Sequence, residues 1–369
     1  MRMIAGRLSS IHRKPVSRLI AMTDLHPAPP LPVFDGHNDL LLRLWLPAEQ
    51  DPVASFLHGS LSGHLDMARI RQGGFAGGLF AVFVPPAQYV KQGSAAYDEA
   101  RHDPFAITEA QIALLHRIEA ESAGHAKICR TATDIEHCIR QGVLAMVLHI
   151  EGAEALDEEL SQLDSWIAAG LRSIGPLWNL VNRFGTGVTG NFPGSPDSGE
   201  GLTPLGLKLL RTCNQKKLLI DLSHMNEKAF WQTAEHSSAP LVATHSNVHA
   251  ICPQPRNLTD AQLRAIAESD GFVGVNFGNA FLRADGKRDG DTPLTEILRH
   301  LEGLMAILGE DRVGFGSDFD GISVPEALHD VAGLPCLITA METAGYSATL
   351  IENICWRNWV AVLRKTWGE

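Results

Sequence analysis

The chain has 369 residues, of which 45% are hydrophobic and 20% are charged, and its formal net charge is −11. An acidic protein repels phosphate backbones, so nucleic acid is not an expected partner. No apolar run reaches the roughly 18 residues needed to cross a membrane, and no secretory signal is recognisable. The six cysteines form no C-x-x-C pair. They are expected to be reduced thiols, as in a cytoplasmic protein with no membrane partner.

The first 31 residues differ in composition from the rest of the chain. Basic residues concentrate between Arg2 and Arg18, and no acidic residue precedes Asp24. This composition predicts a flexible basic N-terminal arm over residues 1–31. It also weakly resembles a transit peptide, and Met22 offers an alternative start. Residues 32–369 are expected to form a single barrel domain, because a barrel takes about 250 residues and tolerates insertions.

From residue 32 onward, near-continuous apolar segments alternate with helical patterns. Such segments are typical of parallel strands that are buried on both faces. Eight strands are predicted, at Val33–Leu40, Gly77–Val84, Leu144–Ile150, Arg172–Leu177, Leu218–Ser223, Leu241–Thr244, Phe272–Asn276 and Val313–Gly316.

Between these strands, apolar residues recur at helical spacing. The helical stretches are Ile107–Ala120, Leu202–Leu210, Leu258–Ala267 and Leu294–Leu308. Thr259 followed by Gln262 predicts a capping box, and Thr203 before Pro204 predicts an N-cap with proline at the first helical position. Eight strands alternating with helices favour the α/β class and a (β/α)₈ TIM-type barrel. A doubly wound open sheet is the main alternative.

Three regions exceed a minimal barrel. Residues 85–142 hold a long helix and a predicted strand–helix pair, Ala126–Arg130 and Asp134–Gln141. Residues 182–201 are rich in Gly, Pro, Ser and Asn, which predicts a long active-site loop. The tail from Pro335 is expected to be a C-terminal helical extension packed on the barrel wall. It carries three tryptophans, Trp356, Trp359 and Trp367.

Side chains of the metal-binding type follow five of the eight predicted strands. They are His37 and Asp39 on the first strand, Glu151 on the third, His224 on the fifth, His245 on the sixth and Asp318 on the eighth. Residues two apart on a strand share a face, and all strand ends of a barrel converge on one mouth. Any one of these residues alone is more often structural. Independent structural roles, however, would not all fall at the same barrel end.

The composition of this set indicates the metal. Imidazole and carboxylate without thiolate suit zinc or a similar divalent ion in a catalytic role. Two metal ions need a bridging ligand, and the carboxylate of Glu151 is the natural candidate because it has one oxygen for each ion. His149, two residues before Glu151, is expected to support the ligands rather than to bind metal.

These motifs resemble the renal (membrane) dipeptidase family of the amidohydrolase superfamily. The resemblance extends from about Val33 to Gly321 and more weakly to the C-terminus. The matching segments are Gly36-His37-Asn38-Asp39, Ile150-Glu151-Gly152, Leu219-Ile220-Asp221-Leu222-Ser223-His224, His245-Ser246, Arg256-Asn257-Leu258 and Gly316-Ser317-Asp318-Phe319-Asp320-Gly321.

The resemblance implies a zinc-dependent dipeptidase with two Zn²⁺ ions per chain and a metal-bridging hydroxide that attacks the peptide bond. It implies that Asp318 is the catalytic acid/base and that Arg256 binds the C-terminal carboxylate of a dipeptide. Arg256 lies in a Pro-rich loop 11 residues past His245, which suits that role. The implied metal ligands are His37, Asp39 and Glu151 for one ion and Glu151, His224 and His245 for the other.

One position departs from the family. Its animal members have a histidine after the fourth strand that stabilises the transition state, and the matching residue here is Trp178. Tryptophan donates one N–H but cannot titrate. Trp178 and Asn179 are therefore candidate substrate-binding residues, and Asn182 or Arg183 are alternatives for the missing polar contact.

Two other functional hypotheses compete with the dipeptidase. The first is another amidohydrolase reaction, such as that of an N-acyl-amino-acid deacylase, a deaminase or a lactonase. The second is a non-catalytic binding protein that kept the barrel. The first strand carries His-x-Asp, and no lysine sits at a strand end among residues 143–178, so the dipeptidase branch is favoured. The expected partner is a small dipeptide, and a homodimer is left open.

Overall fold

The computed structural model describes residues 30–46, 51–59, 62–93 and 102–369. Its centre is a barrel of eight parallel strands, numbered β1 to β8 in chain order. They span Val33–Asn38, Phe75–Phe83, Leu144–Glu151, Leu171–Gly175, Leu219–Ile220, Val242–Ala243, Phe272–Val275 and Val313–Phe315. The predicted arm, residues 1–31, lies outside the described residues except for its last two positions.

The eight strands follow one another around the ring. β1 pairs in parallel with both β2 and β8, and the order continues through β3 and β4 to β5 on one side and through β7 to β6 on the other. A parallel bridge between Asp221 and Val242 then brings the end of β5 beside β6, and the amide of Leu222 donates to the carbonyl of Val242 at 2.9 Å. The predicted TIM-type barrel is confirmed, and the open doubly wound sheet is wrong.

Strands β5 and β6 are shorter than the predicted Leu218–Ser223 and Leu241–Thr244. The cause is the carboxylate of Asp221, which lies between them. Its Oδ1 accepts the backbone N–H groups of Ser223 at 3.0 Å and Thr244 at 2.8 Å. Because a side chain satisfies these amides, the backbone ladder ends early on both strands.

Helices surround the barrel and connect its strands. The α-helices are Leu40–Trp45, Pro52–His58, Met67–Gly73, Ala87–Gly93, Pro104–Glu121, Ala132–Gln141, Leu163–Ala169, Pro204–Gln215, Glu227–His236, Asp260–Glu268, Asn279–Leu282, Leu294–Leu308, Leu334–Thr343, Ala348–Glu352 and Asn358–Trp367. A 3₁₀ turn covers Val331–Gly333, and a π-helical turn covers Asn353–Arg357. Both predicted caps form: Thr203 accepts from the amide of Gly206, and Thr259 and Gln262 make a reciprocal capping box. Among the described residues, no helix combines the length and apolar character needed to span a membrane.

The additional regions also form structure. The short strand Ala126–Ile128 pairs with the first residues of β3, and the predicted helix follows it. A two-stranded hairpin of Val181–Asn182 and Gly185–Thr186 opens the Gly-rich segment. The C-terminal extension packs on the barrel as predicted. Trp359 is fully buried there, and its indole N–H donates to the carbonyl of Phe315 at 2.8 Å.

Candidate metal centre and active site

The carboxylate of Glu151, at the end of β3, lies at the centre of a group of imidazoles. Its Oε1 is 2.8 Å from Nε2 of His224, 3.5 Å from Nε2 of His245 and 3.6 Å from Nε2 of His37. Oδ2 of Asp39 is 3.6 Å from the same nitrogen of His37. All five side chains are buried. The structure therefore brings together the five residues that were expected to bind metal.

The ring of His224 is oriented by Asn179, which follows β4. Nδ1 of His224 lies 2.8 Å from the amide oxygen of Asn179, which can only accept a hydrogen bond. Nδ1 therefore carries the proton, and the lone pair of Nε2 points towards Glu151. Asn179 also lines the cavity above the site. Its amide oxygen therefore orients the ring of His224, and its role in substrate binding stays a prediction.

The ring of His245 is oriented through a short relay. The hydroxyl of Thr244 donates to Oδ2 of Asp221 at 2.5 Å, and its oxygen lies 2.8 Å from Nδ1 of His245. Because that hydroxyl hydrogen is used by Asp221, the oxygen accepts from Nδ1–H of His245. Its Nε2 is left with a free lone pair, 3.0 Å from Nε2 of His224. Such outer partners commonly fix the tautomer of a metal-binding histidine.

His37 is the most isolated of the three histidines. It is fully buried, and neither ring nitrogen has a hydrogen-bond partner among the described residues. Burial lowers the pKa of His37, but the carboxylates of Glu151, Asp39 and Asp318 outweigh it and raise that pKa to about 10. The local field is therefore strongly negative, which favours a cation.

The remaining titratable groups of the centre are perturbed by the same surroundings. Burial raises the pKa of Glu151 and of Asp318, while burial and the nearby Arg256 lower the pKa of His224 and of His245. Neutral imidazoles with inward lone pairs and crowded carboxylates are what a divalent cation needs. The orphaned nitrogens and the chemistry of the donor set both fit a metal ion.

Asp318 lies beside this cluster in the turn after β8. Its Oδ2 accepts from the side-chain amide of Asn276 at 2.8 Å, and its own amide donates to the carbonyl of His37 at 3.0 Å. One of its carboxylate oxygens lies within 4.8 Å of ligand atoms of His37 and Asp39. Asp318 is thus adjacent to the centre, with one oxygen held by Asn276.

Arg256 is buried beside His224, in the loop after β6. Its Nη1 donates to the carbonyl of Ser223, and its Nη2 lies 3.3 Å from the carbonyl of His245 and 3.2 Å from Nε2 of His224. Its buried Nε has no partner within the described part of the chain. The guanidinium is therefore anchored along one edge, and Nε–H is left for a ligand.

A cavity of about 300 Å³ opens above the centre. Its floor includes Glu151 and His224, and one wall is aromatic. Trp178 forms that wall with Phe83, whose ring centroid is 5.0 Å away, and with Tyr89, at 6.1 Å. The Trp178 N–H has no hydrogen bond to any described residue, so it can donate to a ligand. No residue of the segment 182–201 lines this cavity, although an active-site loop was predicted there.

Three residues that position the site were not predicted from the sequence. Asp221 and Thr244 form the relay to His245, and Asn276 holds Asp318. All three lie at or just beyond the ends of barrel strands. Their position at a strand end was the available signal. His149 is buried next to His37, with Nδ1 2.8 Å from the Ser173 hydroxyl. It therefore occupies a supporting position.

Comparison with known proteins gives consistent matches. A family model described as membrane dipeptidase (peptidase family M19) matches residues 28–367. A Klebsiella pneumoniae protein, described as an uncharacterized protein in the pqqA 5′ region, is 59% identical over 267 residues. That match covers 72% of this chain and 98% of the relative.

Two solved structures are similar over nearly their whole length. A metallo-peptidase of family M19 called dipeptidase AC is 44% identical, with a TM-score of 0.85, over 92% of this chain and 99% of its own. A metallo-peptidase from Rhodobacter sphaeroides, liganded with a phosphinate mimic of the dipeptide L-Ala-D-Ala, is also 44% identical. Its TM-score is 0.86 over 92% of this chain and 100% of its own.

Proposed function

This chain belongs to the membrane dipeptidase family, a family of metallo-hydrolases, and we propose that it is a zinc-dependent dipeptidase that cleaves the peptide bond of dipeptides. The observation that carries the proposal is the position of Glu151. A single oxygen of its carboxylate lies within 3.6 Å of three histidines that come from different strands. The dipeptide mimic bound by the Rhodobacter sphaeroides relative supports the substrate class.

The residues proposed to hold metal are those of the buried cluster. Two Zn²⁺ ions per chain would share Glu151, with His37 and Asp39 on one ion and His224 and His245 on the other. When bound, a pair of divalent ions supplies a nucleophile from water near neutral pH and polarises the scissile carbonyl. The Nε2 lone pairs of His224 and His245, which both face Glu151, support this assignment.

Asp318 is the proposed general acid/base. Its Oδ2 is held by Asn276, so the carboxyl group keeps one orientation towards the ligands His37 and Asp39. A carboxyl group fixed in this way can take a proton from the attacking water and return it to the departing amine. Burial raises the pKa of Asp318 and so brings it closer to the working pH.

Arg256 and Trp178 are proposed to bind the substrate. The anchored guanidinium of Arg256 offers its Nε–H edge to a carboxylate, which suits planar recognition. Trp178 offers its indole N–H from the aromatic wall, next to His224. A fixed cation this close to the proposed metal ligands would select substrates whose free carboxylate lies one residue beyond the scissile bond, as it does in a dipeptide.

The test is a metal analysis joined to a substrate panel. We expect about two zinc ions per chain, hydrolysis of L,L- or L,D-dipeptides, and little hydrolysis of their C-terminal amides. N-acyl amino acids and lactones form the comparison panel, because they report the competing amidohydrolase reactions. A folded, zinc-loaded enzyme that cleaves those compounds and no dipeptide would refute the proposal.

We also propose a cytoplasmic location. All six cysteines are free thiols, and a reducing compartment keeps them so. Assembly as a homodimer stays a prediction, which light scattering on the purified full-length chain would test.

A further inference from the structure

The loop after β7 carries both basic and acidic residues, and its acidic side chains converge on one arginine. Arg283 lies 2.9 Å from the carboxylate of Asp285, 3.0 Å from that of Asp291 and 3.9 Å from that of Asp289. All three acids of this loop therefore lie within 4 Å of Arg283.

Arg288, in the same loop, is in a different situation. It is exposed, and it makes no ion pair or hydrogen bond with any residue that the structure describes. It nevertheless lines the cavity above Glu151. Because the acids of the loop lie around Arg283 and not around Arg288, the guanidinium of Arg288 is available to a ligand in the cavity.

The position of Arg288 on the barrel mouth matters for what it can bind. The loops after β6 and β7 are neighbours, and they contribute Arg256, Phe281 and Arg288 to the same side of the cavity. The guanidinium of Arg256 lies 5.6 Å from the centre of the Phe281 ring. In a ring of eight strands β7 is opposite β3, so the aromatic side chains after β2 and β4 face this basic side. Arg256 is the buried cation next to His224, and Arg288 is the exposed cation at the rim.

We propose that Arg288 is a specificity-determining residue that binds the side-chain carboxylate of a dipeptide ending in Asp or Glu. This inference rests on the proposed dipeptidase function and on Arg256 as the site of the α-carboxylate. With the α-carboxylate at the buried cation, the side chain of the same residue can extend along the basic side towards the rim. A second carboxylate there meets a guanidinium that is not paired with an acid of the described residues.

The experiment compares substrates that differ only in charge. The ratio of kcat/KM for Ala-Glu over Ala-Gln is measured for the wild type and for Arg288→Gln, with both configurations of the C-terminal residue. We expect a ratio above one in the wild type and a fall of about 5- to 30-fold in the variant, carried mainly by KM. Because the contact is exposed, added salt should lower the wild-type ratio and leave that of Arg288→Gln nearly constant.

Lys287→Gln is the matched control. It removes the same charge from the adjacent residue, which does not line the cavity, so the Glu/Gln ratio should stay at the wild-type value. A fall of the same size in Lys287→Gln would overturn the proposal, because the loss of any positive charge from the loop would then have the same effect as the loss of Arg288. Equal losses for Ala-Glu and Ala-Gln in Arg288→Gln would also overturn it, since Arg288 would then act on the α-carboxylate or on the loop.

The two proposals fail in different ways. If the zinc-loaded wild type cleaves Ala-Gln and Arg288→Gln has the same Glu/Gln ratio as the wild type, the role of Arg288 is refuted and the proposed dipeptidase function stands. A zinc-loaded, folded wild type that cleaves neither dipeptide refutes the proposed function and this inference with it.

Discussion

An isosteric change, Asp221→Asn, should reverse the hydrogen-bond direction in the relay that orients His245. Oδ2 of Asp221 accepts the Thr244 hydroxyl at 2.5 Å, and the hydroxyl oxygen lies 2.8 Å from Nδ1 of His245. An amide NH₂ in place of Oδ2 would donate to Thr244. The Thr244 hydroxyl would then donate to Nδ1, and the imidazole proton would move to Nε2, the nitrogen that faces Glu151.

The size of the effect follows from the bonds that change. A hydrogen bond to a charged acceptor contributes about 1.5–3 kcal/mol, and outer partners of metal ligands typically change metal affinity by about 10- to 100-fold. We therefore expect Asp221→Asn to weaken zinc binding at one of the two sites by about 10- to 100-fold. The assay is competition with a chromophoric chelator, and circular dichroism confirms that the variant is folded.

Two further variants make the result specific. Thr244→Ser keeps the hydroxyl and should keep the affinity. Asp134→Asn is the control for loss of a carboxylate, since Asp134 pairs with Lys127 at 2.7 Å beside the first residues of β3, at the barrel end away from Glu151. A folded Asp221→Asn protein that binds two zinc ions with wild-type affinity would refute the relay.

Three other predictions follow from single residues. Asp318→Asn should keep the fold and bound metal but lower kcat by about 10²- to 10⁴-fold, and near wild-type kcat in steady-state assays would exclude it from proton transfer. Arg256→Met should lower kcat/KM by about 30- to 1,000-fold for dipeptides but much less for their C-terminal amides. Equal losses for both kinds of substrate would show that Arg256 does not bind the C-terminal carboxylate. His300 is buried, with Nδ1 accepting from the amide of Val248 and Nε2 donating to the carbonyl of Leu282. Burial lowers the pKa of His300 to about 4, and the bond to Leu282, which favours the protonated form, offsets only part of this effect. The unfolded chain protonates this histidine near pH 6.5, so stability should fall by up to about 3 kcal/mol as pH drops from 6.5 to 4. In pH-dependent urea unfolding His300→Gln should lack that part of the fall, and an unchanged profile would contradict the assignment.

The metal-type residues were predictable because strand ends are recognisable in the sequence. His37 and Asp39 close one apolar run, and Glu151 closes another, so the convergence of barrel strands was enough to expect them together. The structure brings them within 3.6 Å of one another through His37. The prediction needed the order of the strands but no detail of their pairing.

The relay to His245 was not predictable in the same way. Asp221 and Thr244 act together only because β5 and β6 are neighbours and the carboxylate sits between them. The same interaction explains why β5 and β6 are shorter than predicted, because the carboxylate of Asp221 accepts the amides that would have extended both strands. Arg288 was missed for another reason: hydrophobic periodicity carries no information about which way a charged loop turns, and the partners of Arg283 become visible only in the folded chain.

The turn that carries Asp318 shows how the barrel holds a strained residue at the site. Asp318 has φ of 62°, a left-handed conformation that is unfavourable for a residue with a side chain. A Cβ on Gly321 would clash with Oδ1 of Asp318 and Oδ2 of Asp39, so any larger residue there would displace these two carboxylates. The turn is fixed to β1, because the amide of Asp318 donates to His37 and the Ser317 hydroxyl donates to Asp35 at 2.8 Å. These bonds join the turn to the strand that carries His37 and Asp39. The proposed acid/base and two proposed ligands are therefore held in one hydrogen-bonded unit, in which the turn after β8 and the end of β1 fix each other's position.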